Sequence, residues 1–443
     1  ILTIGDVEGT AASNTGKGIQ VSSSATLGDY DLSAVSYLTI ADLQTLAGQL
    51  NLQSGGELKT SGDGQYTGDI ALAGGKFSAT DSQVLSGTLS ITADSELAVS
   101  ENYTLTLSQT GGLALGGNTL TLSGGGTLQS GGLDLNNVNS KLLLSSITVD
   151  SVSTSADSSS GGLDVDNDST VSSLSVAHIT PVSIASGKTL SGAITVTAGS
   201  IKLAETGTLA SSISMSGGTL DADNSLTVSG TLTQSGAITI DVADNKTLTY
   251  SGTAISVGAN TLTLSGGGAL GNTNALVLNN TNSKLLLNSI TVDNVSTSAN
   301  SLGLDVDNNS TITALSVGHI TPVSIASGKS LSGAITVTAG SLKLTEAGTL
   351  ASTIAMSGGV LDADESSTVS GALSHSADIT IDVADNKTLT YSGTAISLGA
   401  NTLTLSGGGS FVSGGLTLNN ASSKLLLNSI TVDNVSTSAN SLG

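Results

Sequence analysis

Carboxylates set two residues apart recur along this 443-residue chain. Asp164, Asp166 and Asp168 lie in LDVDNDS, and Asp305 and Asp307 lie in its near-copy LDVDNNS. Asp221 and Asp223 lie in LDADN, while Asp362, Asp364 and Glu365 lie in LDADE. Alternate residues of a strand project to one face, and hard oxygen donors suit Ca²⁺. Asp164, Asp166, Asp168, Asp305, Asp307, Asp362 and Asp364 are therefore the candidate calcium ligands. Against calcium, the Gly-Gly-x-Gly-x-Asp nonapeptide of calcium β-rolls and the EF-hand loop are both missing. Asp beside Asn at the end of a run is also a turn residue whose side chain bonds local backbone. Turn and solubility roles are the expectation, and calcium is the one cofactor left open.

Other reactive chemistry is thinly supplied. His178 and His319 each precede Ile-Thr-Pro, and His375 stands where Gln234 stands one copy earlier. A metal centre needs several such ligands on one ion, so these histidines read as structural corners. Ser is abundant, but no Gly-x-Ser-x-Gly elbow with its acid and His is present. A polysaccharide-cleaving site needs converging acids or bases, and glycan grooves favour aromatic platforms. This chain has no Trp, two Phe and no Arg. No catalytic residue and no enzyme activity are expected. Thr-x-Thr pairs at Thr119/Thr121, Thr195/Thr197, Thr247/Thr249 and Thr261/Thr263 would match a lattice only if every coil carried one. They do not recur that often, and Thr favours solvated strand faces for its own reasons.

A repeat positions these residues. LDVDNDSTVSSLSVAHITPVSIASGKTLSGAITVTAG from Leu163 returns as LDVDNNSTITALSVGHITPVSIASGKSLSGAITVTAG from Leu304, 141 residues on. NTLTLSGGG begins at Asn118, Asn260 and Asn401. Copies therefore run over 118–259 and 260–400, with a partial copy at 401–443 and a diverged partial copy at 1–117. In the diverged copy, VSYLTIADLQTLAGQLNLQSGGELK from Val35 aligns with the segment from Val176, and the closing SANSLG from Ser438 matches Ser298 to Gly303. Such duplication favours a quasi-one-dimensional array over a globule with one active site.

A shorter rhythm lies inside each copy. Leu190, Leu209 and Val228 are spaced by 19 residues, and each precedes a small pair and an alternating run. A period of two marks strands with one buried face. Gly, Asn and Asp clusters close each run, where positive φ is needed, and the two Pro barely interrupt the ladders. The expected fold is all-β: a right-handed parallel β-solenoid of about 19–22 residues per coil, continuous over 1–443. At ~4.8 Å per coil it would form a rod of roughly 100 Å.

Composition narrows the partners. The net charge is −22, from 34 acidic residues against 12 cations, which is the wrong field for nucleic acid or an anionic membrane surface. No apolar run nears the ~20 residues that span a bilayer. Hydrophobic residues make up 38% of the chain, enough in regular alternation to argue against disorder. There is no Cys, so no disulfide is expected.

LSGAITVTAGSLKL, GTLASTIAMSGGVLDAD and LTLSGGG resemble the β-helical segments of bacterial surface proteins, the filamentous-haemagglutinin-type adhesins and autotransporter passengers. The resemblance spans the whole chain in style, without one diagnostic motif. It implies a secreted, extracellular or cell-surface structural protein: an adhesin stalk, or a building block of an extracellular fibre or sheath. Its partners would be other copies or flanking repeats, end to end, and a host or neighbouring-cell surface. The alternatives are a surface-binding module that presents a flat face to a glycan or an ice lattice, and a polysaccharide-degrading β-helix enzyme.

Overall fold

The computed structural model describes residues 19–21, 25–33, 35–40, 44–62, 64–158 and 160–438. The first residues of the diverged copy (1–18), Ala41 to Leu43 of its alignment and the closing Ala439 to Gly443 lie outside them. Every regular element among the described residues is a strand. The chain is an all-β parallel β-solenoid of about 20 turns, with about 20 residues per coil. Its residues fall into two compact units, Ile1–Ser214 with Gly218–Thr231 and Met215–Gly217 with Leu232–Gly443.

Each unit stacks one strand per coil on a first face. In the first unit Val35–Ile40, Glu57–Ser61, Lys76–Ala79, Ser95–Val99 and Thr119–Ser123 pair in parallel, each with the next. The ladder continues through Lys141–Ser145, Gly162–Val165, Ile179–Ile184, Ser200–Leu203 and Thr219–Ala222. The second unit repeats it from Ile238–Val242 to Lys424–Asn428. A second face carries longer strands: Ser169–Val176 lies between Thr148–Thr154 and Thr189–Val196, and Ser310–Val317 lies between Thr291–Thr297 and Ser330–Val337.

Alternation explains the core. In Lys141–Ser145, Leu142 and Leu144 point inward and are fully buried, and the next coil sets Leu163 and Val165 upon them. Full burial of one such side chain contributes about 1.5–3 kcal/mol. The two Pro sit inside strands of the first face, each above a glycine of the coil before. Gly162 has φ 104°, and a Cβ there would meet the Pro181 carbonyl oxygen at 2.2 Å. Gly303 under Pro322 repeats this, at φ 83° and 1.9 Å. Only glycine fits either place.

Coil length varies more than the expected 19–22. Leu142 stacks under Leu163 and that under Val182, 21 and 19 residues on. Leu97 to Leu122 takes 25, and both Ile238 to Leu262 and Ile379 to Leu403 take 24. In these wide coils the second-face strand is broken in two, Thr104–Leu107 and Leu113–Ala114, then Thr247–Tyr250 and Ile255–Ser256, then Thr388–Tyr391 and Ile396–Ser397. The added residues loop out at the break. Tyr250 and Tyr391 seal it from within: each hydroxyl accepts a backbone N–H, from Leu232 and Leu373, at 3.0 Å.

Candidate functional site

The alternating carboxylates do not share a destination. Asp164 meets Lys141 of the preceding coil at 2.8 Å, and Asp305 meets Lys284 at 2.8 Å. Lys343 holds both Asp362 and Asp364, at 3.1 and 2.7 Å. Asp166 and Asp307 fall one residue past their strands and are exposed. Asp168 lies in the turn beyond, where Oδ1 accepts the Thr189 N–H at 2.8 Å. Among the described residues, no three Asp, Glu or His are grouped so as to hold a metal. The hydrogen bond to Asp164 raises the pKa of Lys141, and that to Asp364 raises Lys343. Asp362 is also raised, because burial outweighs the pull of Lys343.

The turn contact made by Asp168 needs an oxygen and not a charge. Asn309 stands at the equivalent position and accepts the Ser330 N–H at 2.9 Å. The same bridge to the next coil recurs from Asp94 to Thr119 (2.7 Å) and Asp378 to Thr402 (2.6 Å), and Asn136 and Asn279 bridge the other way, each accepting an N–H of the coil before, from Gly116 and Gly258 (2.8 Å each). Asp150 accepts from the N–H groups of Ser130 and Gly131. Burial pushes its carboxyl up, but these bonds and the Ser130 hydroxyl hold it below the usual carboxylate range. In the LNNxxSK turns, Ser140, Ser283 and Ser423 are wholly buried, and each donates to the carbonyl of Gly116, Gly258 or Gly399.

The histidines also turn to local partners. His178 Nδ1 lies 3.6 Å from Asp157, His319 Nδ1 lies 3.4 Å from the Thr297 carbonyl, and His375 Nδ1 lies 3.0 Å from that of Ala377. The Nε2 of His375 is buried with no partner among the described residues, beside a cavity of about 310 Å³ that His375 and Met356 line.

The Thr-x-Thr pairs do not continue from coil to coil. Thr119 and Thr121 face Lys141 and Leu143, while Thr261 and Thr263 face Lys284 and Leu286. Thr247 and Thr249 face Ala269 and Gly271, and Thr195 faces Ser175. A different column is continuous: Thr104, Thr127, Thr148, Thr170 and Ser191 stack in strict register on the second face. Its spacings of 23, 21, 22 and 21 residues hide it from a fixed-period reading.

Part of this column borders a groove of about 660 Å³ in the first unit. Glu101 and Asp168 line it, with Thr148, Thr170, Ser191, Gly124 and Gly125. Among the described residues the hydroxyls of Thr148, Thr170 and Ser191 and the carboxylate of Glu101 have no hydrogen-bonding partner. The equivalent corner of the second unit is partly closed on itself. There Thr311 and Ser332 bond each other at 2.8 Å and Ser332 reaches the Ser310 carbonyl at 3.4 Å, while Asn308 donates to Asn288 at 2.6 Å as Asn167 donates to Ser145 at 2.9 Å in the first unit. Asp244 replaces Glu101 and lies over Gly267, its Oδ1 1.7 Å from where a Cβ would stand.

Parallel ladders, side-chain bridges between coils and lysine–carboxylate stitches define a parallel β-solenoid tandem-repeat protein. Comparison with protein-family models, curated proteins and solved structures finds no match to this chain.

Proposed function

We propose that this chain is a non-catalytic structural segment of a secreted cell-surface protein, either an adhesin stalk or a building block of an extracellular fibre or sheath. The observation that carries the reading is where the recurring polar side chains go. Asp94, Asp168, Asn309 and Asp378 bond backbone of the next coil, Ser140, Ser283 and Ser423 bond the coil before, and Lys141, Lys284 and Lys343 stitch neighbouring strands. What the copies retain is stacking. The net charge of −22 keeps neighbouring molecules apart laterally, while strand edges suit end-to-end addition of further coils.

Antibody raised against the folded chain tests the localisation. It is expected to stain intact producing cells or their matrix, and staining only after lysis would remove the reading. A second reading, a surface-binding module, is favoured by the register of Thr104, Thr127, Thr148, Thr170 and Ser191.

A further inference from the structure

We propose that the groove between Glu101 and Ser191 binds an uncharged linear glycan that lies along the stacking direction. This deepens the second reading above and stands apart from the stalk reading. The lining comes from five successive coils, at Glu101, Ser123 to Gly125, Ser145 to Thr148, Asp168 to Thr170 and Thr189 to Ser191. At ~4.8 Å per coil the groove runs about 19 Å. One coil is close to the length of one pyranose unit, so successive sugars meet the same half-buried hydroxyl, at Thr148, then Thr170, then Ser191.

These hydroxyls both donate and accept, as sugar hydroxyls do, and no group of the described residues satisfies them. The Glu101 carboxylate is exposed and unpartnered, and Asp168 keeps one oxygen beyond its bond to Thr189. Both would accept from sugar hydroxyls, the stronger kind of hydrogen bond because the acceptor is charged. Gly124 and Gly125, at φ 106° and 84°, add no side chain to the lining and lie close against Val99 and Glu101 of the preceding coil. No Lys, Arg or His lines the groove, and the chain carries a charge of −22, so uronate or sulfated glycans are repelled. No aromatic residue lines it either, so binding rests on hydrogen bonds. The second unit has the same corner with Thr311 and Ser332 bonded to each other, and it is the internal control.

The experiment is calorimetric titration of the whole chain with neutral tetrasaccharides of β-1,4-glucose, β-1,4-mannose and α-1,4-glucose, beside tetragalacturonate. At least one neutral tetramer is expected to bind, and tetragalacturonate is not. Thr148→Val with Thr170→Val should weaken that binding tenfold or more, whereas Thr291→Val with Thr311→Val in the second unit should leave it unchanged. Valine keeps the shape and strand preference of threonine, and unchanged melting of each pair confirms folding. Should the first pair fail to fold, exposed Glu101→Ala takes its place, with a threefold or greater loss expected. Failure of all three neutral tetramers, equal binding of tetragalacturonate, or equal loss from the second-unit pair overturns the proposal. Cell-surface staining is untouched by any of these results.

Discussion

At one corner of the first unit Asp168 receives the Thr189 N–H, while the hydroxyls of Thr148, Thr170 and Ser191 bond no group of the described residues. At the matching corner of the second unit Asn309 receives the Ser330 N–H, but Thr311 and Ser332 are bonded to each other. The bridge between coils is the same in both, and so is the core beneath: Leu144 and Leu287 are each fully buried. Glu101 gives way to Asp244, Ser145 to Asn288 and Asp168 to Asn309. What stacks the coils is thus kept, and what faces outward is free to change.

The largest expected effect tests the shared half of the comparison. Leu144→Ala and Leu287→Ala should each cost about 2–5 kcal/mol in the denaturation of their own unit. Similar losses in the two units would bear out an equivalent core, and a loss confined to one would break the comparison. Next comes the corner. Asp168→Ala and Asn309→Ala should each cost about 1 kcal/mol, the value of a typical hydrogen bond, whereas Asp168→Asn should be nearly silent in thermal melts. A large penalty for Asp168→Asn would show that the charge matters there after all.

Smaller effects concern the ion pairs. Lys141 and Lys343 have pKa values raised in the folded state by Asp164 and Asp364. A raised lysine stabilises fully below its unfolded value of about 10.4 and ceases to do so as pH rises through the folded value. Melting temperature should therefore fall modestly above about pH 10.4, and less in Lys343→Met than in the native chain. An identical alkaline decline in both would remove the stitch. The smallest expected change is none. Because Asp164, Asp305, Asp362 and Asp364 face lysines, melts with calcium and with chelator should coincide, and a chelator-sensitive midpoint would restore the calcium assignment.

Leu190, Leu209 and Val228 show why the fold was legible in the sequence. Their 19-residue spacing is the register itself, and they stack in line with exposures of 1%, 0% and 0%. A fixed spacing survives where the inward side chain must meet its copy. The wide coils were not legible, because the looped-out residues at 108–112 and 251–254 carry no alternation to count. The hydroxyl column was hidden for a related reason, since its register depends on coils of unequal length. The visible signal, Thr-x-Thr within one strand, pointed elsewhere, and the next coil sets Lys141 and Leu143 on it. The partners of the alternating Asp residues escaped for the same cause: Lys141 and Asp164 lie 23 residues apart and meet only once the coils are stacked.

Hydrogen exchange of the native chain, followed by mass spectrometry, tests most directly whether stacking between coils is what both units preserve. Thr148–Thr154 and Ser169–Val176 of the first unit should exchange as slowly as Thr291–Thr297 and Ser310–Val317 of the second, while 108–112 and 251–254 exchange fast. Rapid exchange through those strands in either unit would contradict it.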